Sequence, residues 1–436
     1  MTADYSTGCG RIVSGRGEPY NAAGVARIAI LLKNLRAGGA QWGALMVARG
    51  LSQRGHAIDL LLRKPLCDWP DDLPERPRLF CVEQSLETQG LDALGKQLGR
   101  QEVALAEIPA VAAWKLRHAN LLLAAAWRRW AWPRLRRRPH FSQDYHARLA
   151  FRVASYLDRE RPDALLACGF GPPIWAAGAR HLTRRRVRTV AMLNGWLDDD
   201  RARVMRCVSH SVDTVVAVSH ACARFAAEVL KVLVPVQTIY QPLVGPDAPS
   251  SAAEPVDHPW IGGDVPVILS AGNLNKDYPT LLRALALLVS RRPTRLIILG
   301  TGTEARLLEL QALARSLRIA DVVDFAGIVA NPLAFMAKVD LFVLSSRKEG
   351  LPQVLVQAMA AGCRTVATDC PVGPAEVLGN GEYGQLAPVG DPARLAETME
   401  RELETQRDRG RLRARASELW GVGRAVDAHE RLLLAG

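Results

Sequence analysis

No two of the eight cysteines are spaced as CxxC, which excludes a zinc knuckle and a thioredoxin-type dithiol. A chain of 436 residues needs no disulfide staples. Cys9, Cys67, Cys81, Cys168, Cys207, Cys222, Cys363 and Cys370 therefore read as small buried thiols in a reducing compartment. The nine histidines include no HExxH, and no protein-held metal site is expected. No apolar run reaches the length needed to span a bilayer; the longest candidate, residues 119–127, is flanked by arginines. Residues 1–20 have no apolar core and read as a loose tail, not a secretory signal. Aromatics are scarce at 6%, and acid is in deficit, 44 Asp plus Glu against 56 Lys plus Arg, for a net +12. What is present is 49% apolar and 23% charged, enough to build a large core and too apolar for a disordered chain. The length points to two domains.

Strand and helix patterns alternate along most of the chain. Residues 26–35 are an apolar run followed by Gly38 and Gly39, a helical pattern over 44–52, and a second apolar run at 57–62. Strand, glycine turn, helix, strand is a βαβ unit with parallel strands. Residues 164–168, 187–193 and 214–218 repeat the theme, and such short continuous apolar runs are strands covered on both faces. Between 236 and 264 the texture breaks into Pro242, Pro246, Pro249, Pro255 and Pro259, a linker. After it, strands at 265–270, 295–299, 322–325, 341–344 and 364–367 alternate with helices at 281–289, 304–317, 333–337 and 355–361. The fold class is α/β, two doubly wound domains facing a cleft. The expected divisions are a tail at 1–22, a first domain at 23–243, a linker at 244–263, a second domain at 264–415 and a helical tail at 416–436 that can cross back to the first domain.

Ligands of such sheets lie at the carboxyl ends of strands, so the residues just after strands carry the chemistry. Gly300, Gly302 and Ala305 form a GxGxxA after the strand at 295–299; it reads as a close phosphate approach, as a plain turn, or, most weakly, as a dinucleotide fingerprint. In SSRKEGLPQVLVQAMAAG, residues 345–362, a polar loop leads through Glu349, Gly350 and Leu351 to Pro352, placed in the first turn of a helix that continues with Gln353. A helix start offers free N–H groups and a positive dipole end, an anion site suited to a diphosphate. A carboxylate beside it repels anions, so Glu349 makes sense as an acceptor for sugar hydroxyls, with Gln357 two turns on as a second contact; the alternative is a dipole-stabilising acid and a surface amide. Gly272, Asn273 and Lys276 follow the strand at 265–270, and Lys276 is placed to neutralise phosphate. Gly38 and Gly39 open a loop from the opposite domain.

These segments, together with LKNLRAGGAQ at 32–41, VVAVSHACAR at 215–224, IYQPL at 239–243 and ATDCPVGPAEVL at 367–378, resemble glycosyltransferase family 4, the retaining nucleotide-sugar transferases of GT-B fold, and in particular bacterial surface-polysaccharide enzymes. The resemblance implies transfer of a hexosyl unit from a UDP- or GDP-linked donor to a hydroxyl of a glycan or lipid-linked acceptor, with no cofactor and no metal. It implies that Glu349 contacts the donor sugar and that Gln357 stands in place of the family's second, ribose-binding acid. Lys276 matches the family's lysine on the diphosphate, Asn273 stands where an arginine is usual, and Asn194 falls near a frequent first-domain histidine. The alternatives are a non-catalytic nucleotide-sugar-binding component of an assembly system and a nucleotide-sugar epimerase.

Residues 111–150 hold nine Lys or Arg against one acid, Asp144, a net +8. Trp114, Trp127, Trp130 and Trp132 are interleaved, and Arg134, Arg136, Arg137 and Arg138 follow. Tryptophan favours the lipid interface and arginine the anionic head group. The expected partner is an anionic membrane surface rather than nucleic acid, with the chain in the cytoplasm on the inner face of the membrane; the alternative is a solvated face over core tryptophans.

Overall fold

The computed structural model describes residues 24–35, 39–64, 77–83, 103–105, 143–195, 197 and 199–435. Gly38 and the segment holding Trp127, Trp130, Trp132, Arg134, Arg136, Arg137 and Arg138 lie outside them.

The first sheet has eight strands: β1 (Arg27–Leu32), β2 (Ala57–Leu62), β3 (Arg78–Cys81), β4 (Val103–Leu105), β5 (Ala164–Cys168), β6 (Arg188–Leu193), β7 (Thr214–Ala217) and β8 (Val236–Thr238). Their order is β4-β3-β2-β1-β5-β6-β7-β8, and every pair is parallel. Around it lie helices α1 (Gly39–Gln53), α2 (Gln143–Glu160), α3 (Gly171–Arg180), α4 (Asp199–Ser209) and α5 (His220–Arg224), the last continuing as a π-helical turn to Val229. The alternate faces of β1 explain its unbroken apolar run: Ile28, Ile30 and Leu32 enter one core layer, while Ala29 and Leu31 enter the other. Residues 143–150, the end of the basic segment, are the start of α2, where Ala147, Leu149 and Ala150 are buried.

The second sheet contains β9 (Val267–Ala271), β10 (Arg295–Leu299), β11 (Val323–Gly327), β12 (Leu341–Leu344), β13 (Thr365–Thr368) and β14 (Gln385–Ala387). Their order is β11-β10-β9-β12-β13-β14, again all parallel. A short helix, α6 (Ala248–Ala253), lies in the proline-rich connection. The second domain then adds α7 (Tyr278–Val289), α8 (Glu304–Ser316), α9 (Pro332–Lys338), α10 (Gln353–Ala360), α11 (Pro374–Val377), α12 (Pro392–Glu404), α13 (Arg409–Trp420) and α14 (Val422–Leu434).

Strand order reverses direction at β1 in the first sheet and at β9 in the second. These are the topological switch points, where loops diverge and leave a crevice at the strand ends. The two crevices face each other: Gly195, just past β6, pairs with Gly350, past β12, in an isolated antiparallel bridge. The chain passes between domains twice, and the passages touch. Leu243 and Val244 donate their N–H groups to the Trp420 carbonyl (2.9 and 3.0 Å), and Val244 bridges Gly421 in parallel. Beyond that point α14 packs on α1, so closely that a Cβ on Gly50 would stand 2.3 Å from Val426. Arg54 pairs with Asp427 and Glu430 at the same contact.

Candidate active site

The loop after β12 is fixed from two sides, through its own Ser345 and Ser346 and through a threonine of β13. The Ser345 hydroxyl donates to the Asp277 carbonyl (2.8 Å), and the Asp277 N–H returns a bond to the Ser345 carbonyl (3.2 Å). The Thr368 hydroxyl, at the end of β13, accepts the Ser346 N–H (2.8 Å) and donates to the Ser346 carbonyl (2.6 Å). The loops of three adjacent strands are thus tied together beneath Glu349.

Glu349 meets Lys276 from the loop after β9 as a direct ion pair. Its Oε1 also accepts the Ser346 hydroxyl (2.7 Å), while Oε2 has no partner among the described residues. The Glu349 side chain is 12% exposed and that of Lys276 23%. The carboxylate is therefore held by one oxygen with the other left open, in a partly dehydrated setting where each hydrogen bond counts for more than in water. Its negative field reaches its neighbours. The Tyr278 phenol and the Cys370 thiol are both pushed up to about 12, mainly by burial and further by the Glu349 charge.

Glycines in this region serve close approach. Gly272 has φ +140°, and the stem of Lys276 lies over it, with Cε 2.5 Å from where a Cβ would be. Gly300 has φ +130°, and its missing Cβ would fall 1.9 Å from the Gly272 carbonyl oxygen. Gly302 faces Leu274 in the same way. This glycine cluster packs the loops after β9 and β10 back to back. Beside it lies a pocket of about 170 Å³ lined by Leu274, Gly300, Gly302, Phe325 and Ile328. Asn273 is exposed, and its Oδ1 accepts the Asn275 N–H (2.9 Å), which shapes the turn that presents Lys276. Arg306 braces that turn from α8, its Nε donating to the Leu274 carbonyl (3.0 Å).

Helix α10 starts at Gln353, two residues before the expected 355–361 pattern and one residue after the Pro352 expected in its first turn. Pro352 is the N-cap (φ −74°, ψ 87°) rather than a first-turn residue, and Leu355 N–H closes the first bond to the Pro352 carbonyl (2.9 Å). Pro352 has no N–H to leave unpaired, and no side chain caps the amides of Gln353 and Val354. This helix start lies at the junction of the domains. The Gly350 backbone packs on Asn194 and Gly195: a Cβ there would stand 2.3 Å from the Asn194 carbonyl oxygen. Leu351 and Pro352 are buried beside it. Gln353 turns to the first domain, where its amide donates to the Gly39 carbonyl (2.7 Å) and to Gln241 Oε1 (2.6 Å). Gln357 is half-buried on α10.

Asn194 contributes from the other wall. Its Oδ1 accepts the Gly169 N–H (3.2 Å), which fixes the amide's orientation, because the amine end has nothing to accept with. That leaves Nδ2 buried without a partner. A buried donor lacking an acceptor is rare enough to require an explanation.

Ser346, Thr368, Gln241 and Glu376 all bear on this site and were given no role from sequence. Ser346 lies two residues past β12 and Thr368 ends β13, and a place at a strand's carboxyl end was a usable signal. Gln241 and Glu376 act on the opposite domain, and nothing local marks them. Among the described residues, no group of three or more His, Cys, Asp and Glu side chains gathers where it could hold a metal ion.

Two facing parallel α/β domains, with an acid, a lysine and a helix start converging on the cleft, define the GT-B class of glycosyltransferase. Residues 37–242 match the family described as Glycosyltransferase Family 4, and residues 265–405 match Glycosyl transferases group 1. The chain belongs to this family of glycosyltransferases, and it is related to bacterial enzymes of lipopolysaccharide and surface polysaccharide. It is 33% identical over 172 residues to an N-acetylgalactosaminyltransferase of Campylobacter jejuni that acts on a diphospho-undecaprenol-linked sugar, covering 38% of this chain and 46% of that one. It is 34% identical over 157 residues to the lipopolysaccharide core biosynthesis glycosyltransferase LpsE of Rhizobium meliloti, covering 36% and 44%. The aligned regions thus span under half the length of these curated relatives. The Anabaena protein Alr3699/HepE, solved in complex with UDP, superposes with a TM-score of 0.67 at 18% identity, covering 94% of this chain and all of that one.

Proposed function

We propose that the protein transfers a hexosyl unit, with retention of configuration, from a UDP- or GDP-linked donor to a hydroxyl of a glycan or lipid-linked acceptor in surface-polysaccharide synthesis. The observation that carries this is the convergence of Glu349, Lys276 and the α10 start on the bridge between Gly350 and Gly195. In this reading the nucleoside occupies the pocket beside Gly300, Gly302 and Ile328. The diphosphate lies between the Lys276 ammonium and the uncapped amides of α10, and the sugar reaches the open oxygen of Glu349. The half-buried Gln357 offers its amide to a ribose hydroxyl. Asn194 Nδ2 supplies a donor to a sugar hydroxyl from the first domain, which accounts for its empty hydrogen-bonding position. The solved complexes of Alr3699/HepE with UDP, and with UDP-glucose, support a uridine donor.

The chemistry asked of the protein is then placement and charge stabilisation. The acceptor hydroxyl approaches the anomeric carbon on the face from which the diphosphate leaves, and the departing phosphate oxygen takes the acceptor's proton. Lys276 and the helix amides stabilise the negative charge that grows on that oxygen. Because Lys276 also pairs with Glu349, donor binding places phosphate and carboxylate around one ammonium. The test is a panel of nucleotide sugars assayed for hydrolysis and transfer. Activity with one donor that is lost in Glu349→Ala, with folding intact, supports the reading; release of an isomerised sugar without acceptor identifies an epimerase instead.

The composition of residues 111–150 supports docking on an anionic membrane near a lipid-linked acceptor. No described helix is long and apolar enough to cross a membrane. Co-sedimentation with anionic vesicles is expected to fall when Arg134, Arg136, Arg137 and Arg138 are changed to glutamate; unchanged binding refutes the docking.

A further inference from the structure

Helix α5, in the first domain, has its amino end capped from the second. Glu376 Oε1 accepts the His220 N–H (2.8 Å) and Oε2 the Ala221 N–H (2.9 Å), while the third amide, Cys222, is taken by the N-cap residue Ser219 through its hydroxyl (3.1 Å). The Tyr240 hydroxyl also donates to Glu376 Oε1. One carboxylate thus receives three hydrogen bonds, all from the first-domain side. Charge-assisted bonds of this kind are roughly twice as strong as neutral ones, and the positive end of the helix favours the anion.

Two further contacts give this carboxylate leverage. Behind it, the Tyr240 ring stands edge-on to Trp420 with centroids 5.5 Å apart, and the Trp420 carbonyl is where the two passages between domains meet. Ahead of it, the N-cap of α11 is Gly373 (φ +100°), where a Cβ would lie 2.7 Å from the Gly350 carbonyl oxygen and 2.5 Å from Pro352 Cδ. Glu376 therefore links the hinge, the first domain and the loop that carries Glu349 through one short helix.

We propose that Glu376 is a positioning residue that sets the angle between the domains and thereby brings Asn194 and the acceptor wall to the donor loop. The proposal rests on the transfer reaction above for its kinetic consequence and on geometry alone for its conformational one. If the donor is held chiefly by the second domain, opening the hinge leaves nucleotide affinity nearly intact and slows the step that needs both walls.

The test compares wild type with Glu376→Ala, Glu376→Gln and Tyr240→Phe, each checked for a cooperative melt. Hydrogen exchange over residues 219–224 should show His220 and Ala221 losing protection in Glu376→Ala, with Cys222 still protected. Small-angle scattering should show a larger radius of gyration for that variant. With an accepted nucleotide sugar, kcat should fall about tenfold or more while the Kd for the nucleotide diphosphate stays within about threefold. Glu376→Gln, which keeps one accepting oxygen, should recover part of kcat, and Tyr240→Phe should lose less than Glu376→Ala. Unchanged exchange and radius overturn the proposal, as does faster exchange with unchanged kcat, or nucleotide binding lost in step with kcat. Should no nucleotide sugar react with wild type, the transfer reading fails, and exchange and scattering still decide whether Glu376 holds the domains.

Discussion

A single oxygen of Glu349 carries both of its contacts, from Lys276 and Ser346, and this asymmetry is the most informative feature at residue scale. A carboxylate present only to balance the lysine would gain by using both oxygens. Glu349→Gln preserves shape and removes charge. Sugar transfer is expected to fall about a hundredfold or more, with nucleotide affinity changed less than about threefold, as read from steady-state kinetics beside calorimetric binding. Full transfer by that variant would remove Glu349 from the chemistry. Gly350 tests the domain junction. A methyl group there meets backbone atoms, the Asn194 carbonyl oxygen and Gly195 Cα, and neither can rotate aside. Gly350→Ala is expected to abolish transfer and to cost about 1–3 kcal/mol in denaturant unfolding; a variant with wild-type stability and rate would show that the domains do not meet there in solution.

Among the elements, α14 carries a pH-dependent liability. His429 is fully buried, its Nδ1–H donates to the Ala425 carbonyl (2.8 Å), and Nε2 has no partner. Protonation would create a second N–H with nowhere to donate, so burial lowers the imidazole to about 4, against an ordinary 6.5, with the Ala425 bond opposing. Between those values the unfolded chain binds the proton and the folded one does not. Stability therefore falls as pH drops from about 6.5 to about 4, by about 1.4 kcal/mol per unit, and this contribution is flat outside that window. His429→Leu should lose that share of the slope in unfolding measured from pH 7.5 to 4.5, and an unchanged slope contradicts the assignment. Legibility followed burial in the same elements. Strands such as Ala164–Cys168, Arg295–Leu299 and Leu341–Leu344 stood out because both faces are covered, leaving an unbroken apolar run. The short strands β3, β4 and β14 have too few residues to show a period. The α2 pattern was masked by the positive charge that precedes it. The meeting of Glu349 with Lys276 at the strand ends was legible because each follows a strand at a switch point. The interdomain contacts of Gln353 and Glu376 were not, since their partners lie 314 and 156 residues away and only the assembled domains reveal them.

For the whole molecule, two passages between the domains run side by side at Val244 and Gly421, and the domains meet again at the bridge between Gly195 and Gly350. In the proposed reading the ligand completes the junction, with a diphosphate between Lys276 and the α10 start. The most direct measurement is calorimetric titration of uridine and guanosine diphosphates and their hexose derivatives into wild type and Lys276→Met. One nucleotide series is expected to bind wild type and to weaken about tenfold or more in Lys276→Met; failure of every nucleotide to bind, or equal affinity for both proteins, would contradict a diphosphate lying between that lysine and the helix.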